Sequence, residues 1–396
     1  MKEKVVLAFS GGLDTSFCVP YLKQEKGLEV HTVMVNTGGF SPEEESRIEQ
    51  RALELGAASH VNINVVEEYY RKGIKYLLFG NILKNSTYPL SVSSERIFQA
   101  MAVLDHVKKL DASYVAHGST GAGNDQVRFD LVFEVMAPSV KVLAPIRELS
   151  LTRMEEINYL QSKGFNFSWE KAKYSINQGL WGTSVGGVET LSSAGVLPED
   201  AYPSQISLTE PVRIKITFEK GEPVALNGKR DNPVEIIRSI NELGGKYGVG
   251  RDMHVGDTII GIKGRVGFEA PAPLILVKGH HLLEKHTLTK GQLYWKEQLA
   301  GWYGQLMHEA QYLDPLMRNI EVFMDDTQKY VTGVVEAELR PYHFAILGCE
   351  TPYDLMSSKF GEYGEANKSF TGQDVIGFTK VLANPLKIYY SVHKDD

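Results

Sequence analysis

The run Val5-Val6-Leu7-Ala8-Phe9, closed at once by Ser10-Gly11-Gly12-Leu13-Asp14-Thr15-Ser16, constrains this chain more than any other feature. A short, continuous apolar run reads as a strand buried on both faces of a parallel sheet. Residues 14–25 after it read as a helix. The junction is a natural anion cradle: backbone N–H groups converge at the helix N-terminus, where the dipole is positive. Two glycines let the backbone approach a phosphate closely. Ser10, Thr15 and Ser16 add hydroxyl donors, and Asp14 is suited to holding Mg²⁺ or capping the helix. The pattern is neither a P-loop, which needs GKS or GKT, nor a GxGxxG fingerprint. The plainer reading is a tight strand–helix turn.

The alternation continues. Val30 to Val35 reads as a second strand. Ser41-Pro42-Glu43-Glu44 is a capping box opening a helix to about Gly56. Val61 to Val65 reads as a third strand, helices follow near 67–78 and 93–110, and Ser113 to His117 is a fourth strand entering a Gly-rich loop at 118–125. This order predicts a parallel sheet covered by helices on both faces, with ligands at the carboxyl ends of the strands. The loops at 10–16, 36–40 and 118–125 should therefore meet. After about 166 the pattern changes. Val212 to Phe218 alternates strictly, turns at 219–222 and resumes at Val224-Ala225-Leu226, a hairpin of an α+β, antiparallel second domain. A helical stretch over about 280–312 carries Leu282, Leu283, Leu293, Trp295, Leu299, Trp302, Tyr303 and Leu306, read as core packing or a subunit interface. The tail, 350–396, has weak periodicity and suits an arm that wraps a partner subunit.

The 396 residues include only two cysteines, Cys18 and Cys349, with no CxxC pair, which argues against a disulfide scaffold and fits a reducing cytoplasm. Cys18, on the helix after the phosphate loop, reads as packing, as does Trp181. The net charge of −7 lacks the basic footprint of bulk nucleic-acid binding, and no apolar run approaches the ~20 residues of a membrane span. His280, His281 and His286 lack metal spacing and read as surface or interface groups near a helix start.

His117-Gly118-Ser119-Thr120-Gly121-Ala122-Gly123-Asn124-Asp125-Gln126-Val127-Arg128-Phe129 is the second informative stretch. Thr120, Asn124, Asp125 and Arg128 suit a zwitterion, with Arg and amides for carboxylates and Asp for an ammonium. This stretch resembles the HG-[AS]-TG-x-GNDQVRF segment of argininosuccinate synthases, and the first motif resembles their A-[YF]-SGGLDTS, a form of the pyrophosphate loop of N-type ATP pyrophosphatases. Tyr88-Pro89-Leu90 with Ser93 and Arg96, Lys173 to Asn177, Leu180 to Ser184, Lys246 to Arg251, and Asp326-Thr327-Gln328 with Val331-Thr332-Gly333 are similar to further segments of that family, in order along nearly the whole chain.

The resemblance implies an α/β fold: a parallel-sheet, adenine nucleotide α-hydrolase-like ATP-binding domain (1–165), an α+β synthetase and multimerisation domain (166–360) and a C-terminal oligomerisation arm (361–396). It implies ATP-dependent ligation of citrulline and aspartate through a citrullyl-adenylate, releasing AMP and pyrophosphate, in a cytoplasmic homotetramer of arginine biosynthesis. Ala8, Phe9, Ser10, Gly11, Gly12, Leu13, Asp14, Thr15, Ser16, Val35 and Gly118 would hold ATP, with Mg²⁺ on Asp14. Thr120, Asn124 and Asp125 would hold aspartate. Tyr88, Ser93, Asn124, Arg128, Ser175 and Ser184 would hold citrulline. Ser10, Asp14, Asp125 and Arg128 stand as the catalytic set, by positioning and charge stabilisation, and Arg96, Arg128 and Arg265 as charge-neutralising groups.

Three positions depart from the family. Ala122 stands where a Lys is usual, with Lys173 a candidate replacement. Phe268 stands at a Tyr. Gly256 stands at a citrulline-binding Glu, with Asp257 beside it as the substitute ammonium partner. The loss of that Glu raises an alternative, the same chemistry on an N-acylated citrulline. A non-catalytic nucleotide sensor is the other alternative, since a fold does not fix a function.

Overall fold

A computed structural model of the chain describes residues 2–167, 174–357 and 369–393. Lys173 and the junction at 360/361 lie outside the described residues. Strands β1 (Lys4–Ala8), β2 (Glu29–Asn36), β3 (Ser59–Asn64), β4 (Tyr114–Ala116) and β5 (Lys141–Leu143) pair in parallel in the order β3-β2-β1-β4-β5. The continuous apolar run of β1 has a direct cause. Val5 and Leu7 pack on one face against the helices Leu13–Gln24 and Arg153–Ser162, and Val6 packs on the other against the helix Ser91–Leu110. β5 escaped the sequence reading because its three residues are partly exposed and make no apolar run.

The expected capping box is present: the Ser41 side chain accepts from Glu44 N, the Glu44 carboxylate accepts from Ser41 N, and Pro42 opens the helix Pro42–Glu54. The predicted helix at 67–78 is instead a four-residue α-turn, a π-helical segment Tyr70–Ile74 and the short helix Lys75–Phe79. From β1 the chain builds β2 and β3 on one side and β4 and β5 on the other. The carboxyl ends of β1 and β4 are thus the switch point of the sheet, where a ligand crevice opens.

The second half adds β6 (Ser175–Gly179), β7 (Gly182–Gly186), β8 (Val212–Glu219), β9 (Glu222–Leu226), β10 (Lys229–Arg230), β11 (Arg251–Asp257), β12 (Lys263–Glu269), β13 (Gly333–Arg340) and β14 (His343–Glu350). They form two antiparallel sheets, β10-β9-β8-β13-β14 and β11-β12-β7-β6. The expected hairpin is β8–β9. The smaller sheet caps the crevice.

The helical stretch over 280–312 is two helices, Pro271–Thr287 and Lys290–His308, because Thr289 starts the second one with a capping box to Gln292. The three histidines therefore sit within the first helix, away from its start. His280 is not a surface group: it is fully buried, hydrogen-bonded to Asn81 and Gln328 at 2.7 and 2.8 Å. Cys18 and Trp181 are core residues. The tail forms the helices Gly372–Leu382 and Asn384–Val392, which bury no residue and expose Phe378, Val381, Leu386 and Tyr390.

Candidate active site

The crevice is a cleft of about 1010 Å³, lined from both halves of the chain. Its floor is the β1 junction: Ala8, Phe9, Ser10, Gly12, Leu13, Asp14 and Thr15 line it, joined by Val35 near the end of β2, by Gly39 and Phe40 from the loop after β2 and by Gly118 from the loop after β4. The three loops expected to meet do so. Gly11 and Ser16 do not line the cleft. Gly11 makes the turn at φ +74 against Ile48, and the Ser16 hydroxyl is fully buried without a hydrogen-bond partner. The helix Leu13–Gln24 starts at Gly12 with no side-chain cap, so its positive end faces the cleft, with Asp14 in its first turn. Ser10 Oγ and Thr15 Oγ1 lie 3.3 Å apart at its mouth. Gly118 closes the cradle: a Cβ there would come within 3.0 Å of Thr15 Cγ2 and 3.2 Å of Thr15 N.

Asp14 has an acidic neighbour that the sequence reading missed. Glu156, buried on the helix Arg153–Ser162, faces it, and the Glu156 Oε2 atom has no hydrogen-bond partner. Burial and the nearby Asp14 charge push Glu156 up to about 8, and burial also raises Asp14. Two carboxyls in contact are both acceptors and need a proton or a cation between them. This donor set fits a hard cation such as Mg²⁺, which takes one or two carboxylates plus phosphate oxygens.

The opposite wall is an ion network. Asp125, at the start of the helix Asp125–Met136, accepts from Arg96 Nε at 2.9 Å and from Arg128 Nη1 at 2.7 Å. Burial would raise the Asp125 carboxyl, but the two guanidiniums outweigh it and hold it at about 2. Arg96 also binds Glu95, Gln99 and Asn177, at 2.8, 3.0 and 2.9 Å. Burial pushes Glu95 up to about 7 against the pull of Arg96 and of the Thr37 hydroxyl. Glu95, next to Arg96 in the sequence, carried no expected role: a Glu on a helix reads as solvated until its neighbours are known.

The remaining expected residues divide. Tyr88, Ser93, Thr120, Asn124, Ser175, Ser184, Asp257 and Arg265 all line the cleft. Ser93 Oγ donates to Leu90 O at 3.2 Å and is nearly inaccessible. Asn124 Oδ1 accepts from Ile259 N at 2.8 Å, tying the phosphate-side half to the β11–β12 turn. Arg265 Nη1 donates to the carbonyls of Glu189 and Ser192. Asp257 stands on the rim, its side chain 67% exposed and paired with Lys263 at 2.6 Å. Ala122 is exposed and outside the lining.

Two histidines complete the end of the cleft beyond Arg128. His254 stacks on Tyr88 at 5.1 Å, and Phe268 packs edge-on to Tyr88 at 5.5 Å. The His308 backbone carbonyl accepts from Arg128 Nε at 3.1 Å. Burial, Arg128 and Lys84 push His308 down to about 3, and burial and Lys84 lower His254. Both are neutral imidazoles near pH 7. Neither stood out in the sequence, because 180 residues separate His308 from Arg128.

Sequence comparisons point to one family. A family model described as the arginosuccinate synthase N-terminal HUP domain matches residues 4–166, and one described as the arginosuccinate synthase C-terminal domain matches residues 174–389. The chain is 38% identical over 384 residues to an argininosuccinate synthase of Methanocaldococcus jannaschii, covering 96% of each. It is 37% identical over 404 residues to that of Xanthomonas campestris pv. campestris, covering 99% of each. To that of Sulfolobus acidocaldarius it is 35% identical over 382 residues, covering 96% of each.

Proposed function

The chain belongs to the argininosuccinate synthase family, and from that premise we propose how its cleft performs the family's reaction. The protein is an ATP-dependent carbon–nitrogen ligase that joins the ureido group of a citrulline-type substrate to aspartate, with ATP split to AMP and pyrophosphate. The observation that carries this reading is that the uncapped helix N-terminus at Gly12 and the Arg96–Asp125–Arg128 network open on one cleft.

The triphosphate lies along Ser10 to Thr15, with its adenine against the Val35 backbone and its α-phosphate near Gly118. Mg²⁺ held at Asp14, with Glu156 behind it, would offset phosphate charge. The ureido oxygen of citrulline attacks the α-phosphorus, and pyrophosphate leaves into the backbone N–H groups, whose fixed dipoles stabilise the developing charge. The aspartate amine, in its free-base form, then attacks the ureido carbon. AMP departs with the ureido oxygen, and the nitrogen loses its extra proton. Thr120, Asn124 and Asp125 position aspartate, and Tyr88, Arg128, Ser175 and Ser184 position citrulline. Arg96 and Arg128 act by charge and placement; no proton-transfer pair is needed at the reacting carbon.

The division at 165/166 and the arm from 361 belong to the same proposal, as does a homotetramer. The apolar residues exposed on the helices Gly372–Leu382 and Asn384–Val392 support an arm that docks on another subunit. Among the described residues no helix is long and apolar enough to cross a membrane, and a cytoplasmic site of action fits the two unpaired cysteines. Stoichiometric AMP and pyrophosphate, formed only when ATP, aspartate and a citrulline-type substrate are all present, is the expected assay result. Formation of ADP and phosphate would overturn the reading.

A further inference from the structure

We propose that the ureido substrate of this chain carries an acyl group on its α-nitrogen, received by His254, Gly256 and His308 at the end of the cleft beyond Arg128. The inference rests on the ligase reading above and names the substrate class of that same site.

An unacylated α-amino acid brings an ammonium, which needs a carboxylate once water is removed. Five carboxyl side chains line the cleft, and none is free at this end. Asp14 faces Glu156 beside the phosphate loop. Glu44 closes the capping box on Ser41 N at 2.8 Å. Glu95 is held by Thr37 and Arg96, and Asp125 by Arg96 and Arg128. Asp257 is on the exposed rim, bound to Lys263.

Apart from Asp257, paired with Lys263 on the rim, and Glu309, which acts on Lys84 from outside the cleft lining, what faces this end is basic or neutral. Arg128 and His308 meet through the His308 carbonyl. Lys84, bonded to Gln305 at 2.8 Å, is close enough to bias both imidazoles. An ammonium placed here would meet two cations. The buried His254 Nδ1 has no hydrogen-bond partner, and His308 Nε2, near the Asp257 backbone, makes no hydrogen bond of good geometry. A neutral imidazole offers one donor and one acceptor, which match the carbonyl and the N–H of an amide.

The space is also shaped for this. A Cβ on Gly256 would lie 2.6 Å from His254 Nε2, so the imidazole occupies its place only because residue 256 has no side chain. Tyr88, which lines the cleft and stacks on His254, gives the acyl carbons an apolar wall, and the buried Phe268 ring backs it edge-on. Lys84 and Asn85 stand between this end and a second cavity of about 350 Å³, and Asn85 Nδ2 donates to Val255 O at 3.1 Å.

The test is pyrophosphate release by the full chain with Mg-ATP and aspartate, comparing citrulline, N-acetylcitrulline and N-succinylcitrulline. The expected result is a kcat/KM at least tenfold higher for one of the acylated forms. The succinyl probe separates an anionic acyl group, favoured by Lys84, from a neutral one. In His254→Ala the KM for the preferred acyl form should rise about tenfold more than the KM for citrulline, a split that general loss of folding would not give, and equal rises in both would overturn the proposal. Turnover of citrulline equal to or better than both acyl forms overturns the proposal and leaves the ligase reading intact. No release with any of the three overturns the ligase reading itself.

Discussion

The two ends of the cleft carry opposite imbalances. At the phosphate loop, Asp14 and Glu156 face each other and both are pushed up, because burial disfavours their charge more than the nearby Arg153 favours it, and the Asp14 charge adds to this at Glu156. Beyond Arg128, His254 and His308 are pushed down, because two buried imidazoles sit among Arg128 and Lys84. Between them Asp125 is fully compensated by two arginines. The difference teaches where ligands belong. The compensated network positions substrates between two unbalanced ends, and the two proposals above follow from that imbalance: a metal–phosphate group at one end, an uncharged or anionic group at the other.

Breaking the compensated centre should cost most. Arg128→Ala leaves Asp125 with one partner and removes the bond to the His308 carbonyl. Arg128 also places charge beside the ureido substrate, and losing one such preorganised group costs about a hundred- to a thousandfold, so kcat/KM for pyrophosphate release should fall by about that factor. A loss below tenfold would mean that the network is not the centre of the site.

Gly118→Ala separates the ends. Its Cβ would press on Thr15 at 3.0 Å, so the KM for ATP should rise about tenfold, while the KM for the ureido substrate stays within about twofold. Equal changes in both would erase the distinction between the two ends.

The two titrations should run in opposite directions. Glu156 is raised from 4.5 to about 8, so its contribution to stability is present below pH 4.5 and is lost as pH rises through 8. Thermal melts of ligand-free Glu156→Gln should lack that loss, and Mg-ATP should suppress it in the parent chain. His308 is lowered from 6.5 to about 3, so its contribution is present above pH 6.5 and is lost as pH falls toward 3. His308→Gln should therefore be relatively more stable at pH 4 than at pH 7.5, the smallest of these effects. Parallel slopes in the two variants would contradict the opposed charge pattern.

The ends also differed in how legible they were. The phosphate loop is contiguous: strand, turn and helix start all lie within residues 4–24, so periodicity and two glycines were enough to place it. The α/β sheet followed from the same alternation, except β5, which is too short and exposed to leave a pattern. The far end is assembled across the chain. Asn124 reaches Ile259 over 135 residues, and Arg128 reaches His308 over 180. His254 alternates in β11 like any strand residue, and Glu95 looks like any helix Glu. Their roles come from packing, which local pattern does not encode. The break at Thr289 was readable in principle, since Thr289 and Gln292 form a capping pair, but the apolar periodicity on both sides masked it.

The most direct test of the central claim is to follow oxygen. The ureido substrate, as citrulline and as its N-acyl form, is labelled with ¹⁸O on the ureido oxygen and turned over with Mg-ATP and aspartate, and the AMP is weighed by mass spectrometry. Attack of that oxygen on the α-phosphorus predicts one ¹⁸O in the phosphoryl group of AMP for each turnover. AMP without label would contradict the adenylate route, and with it the assignment of both ends of the cleft.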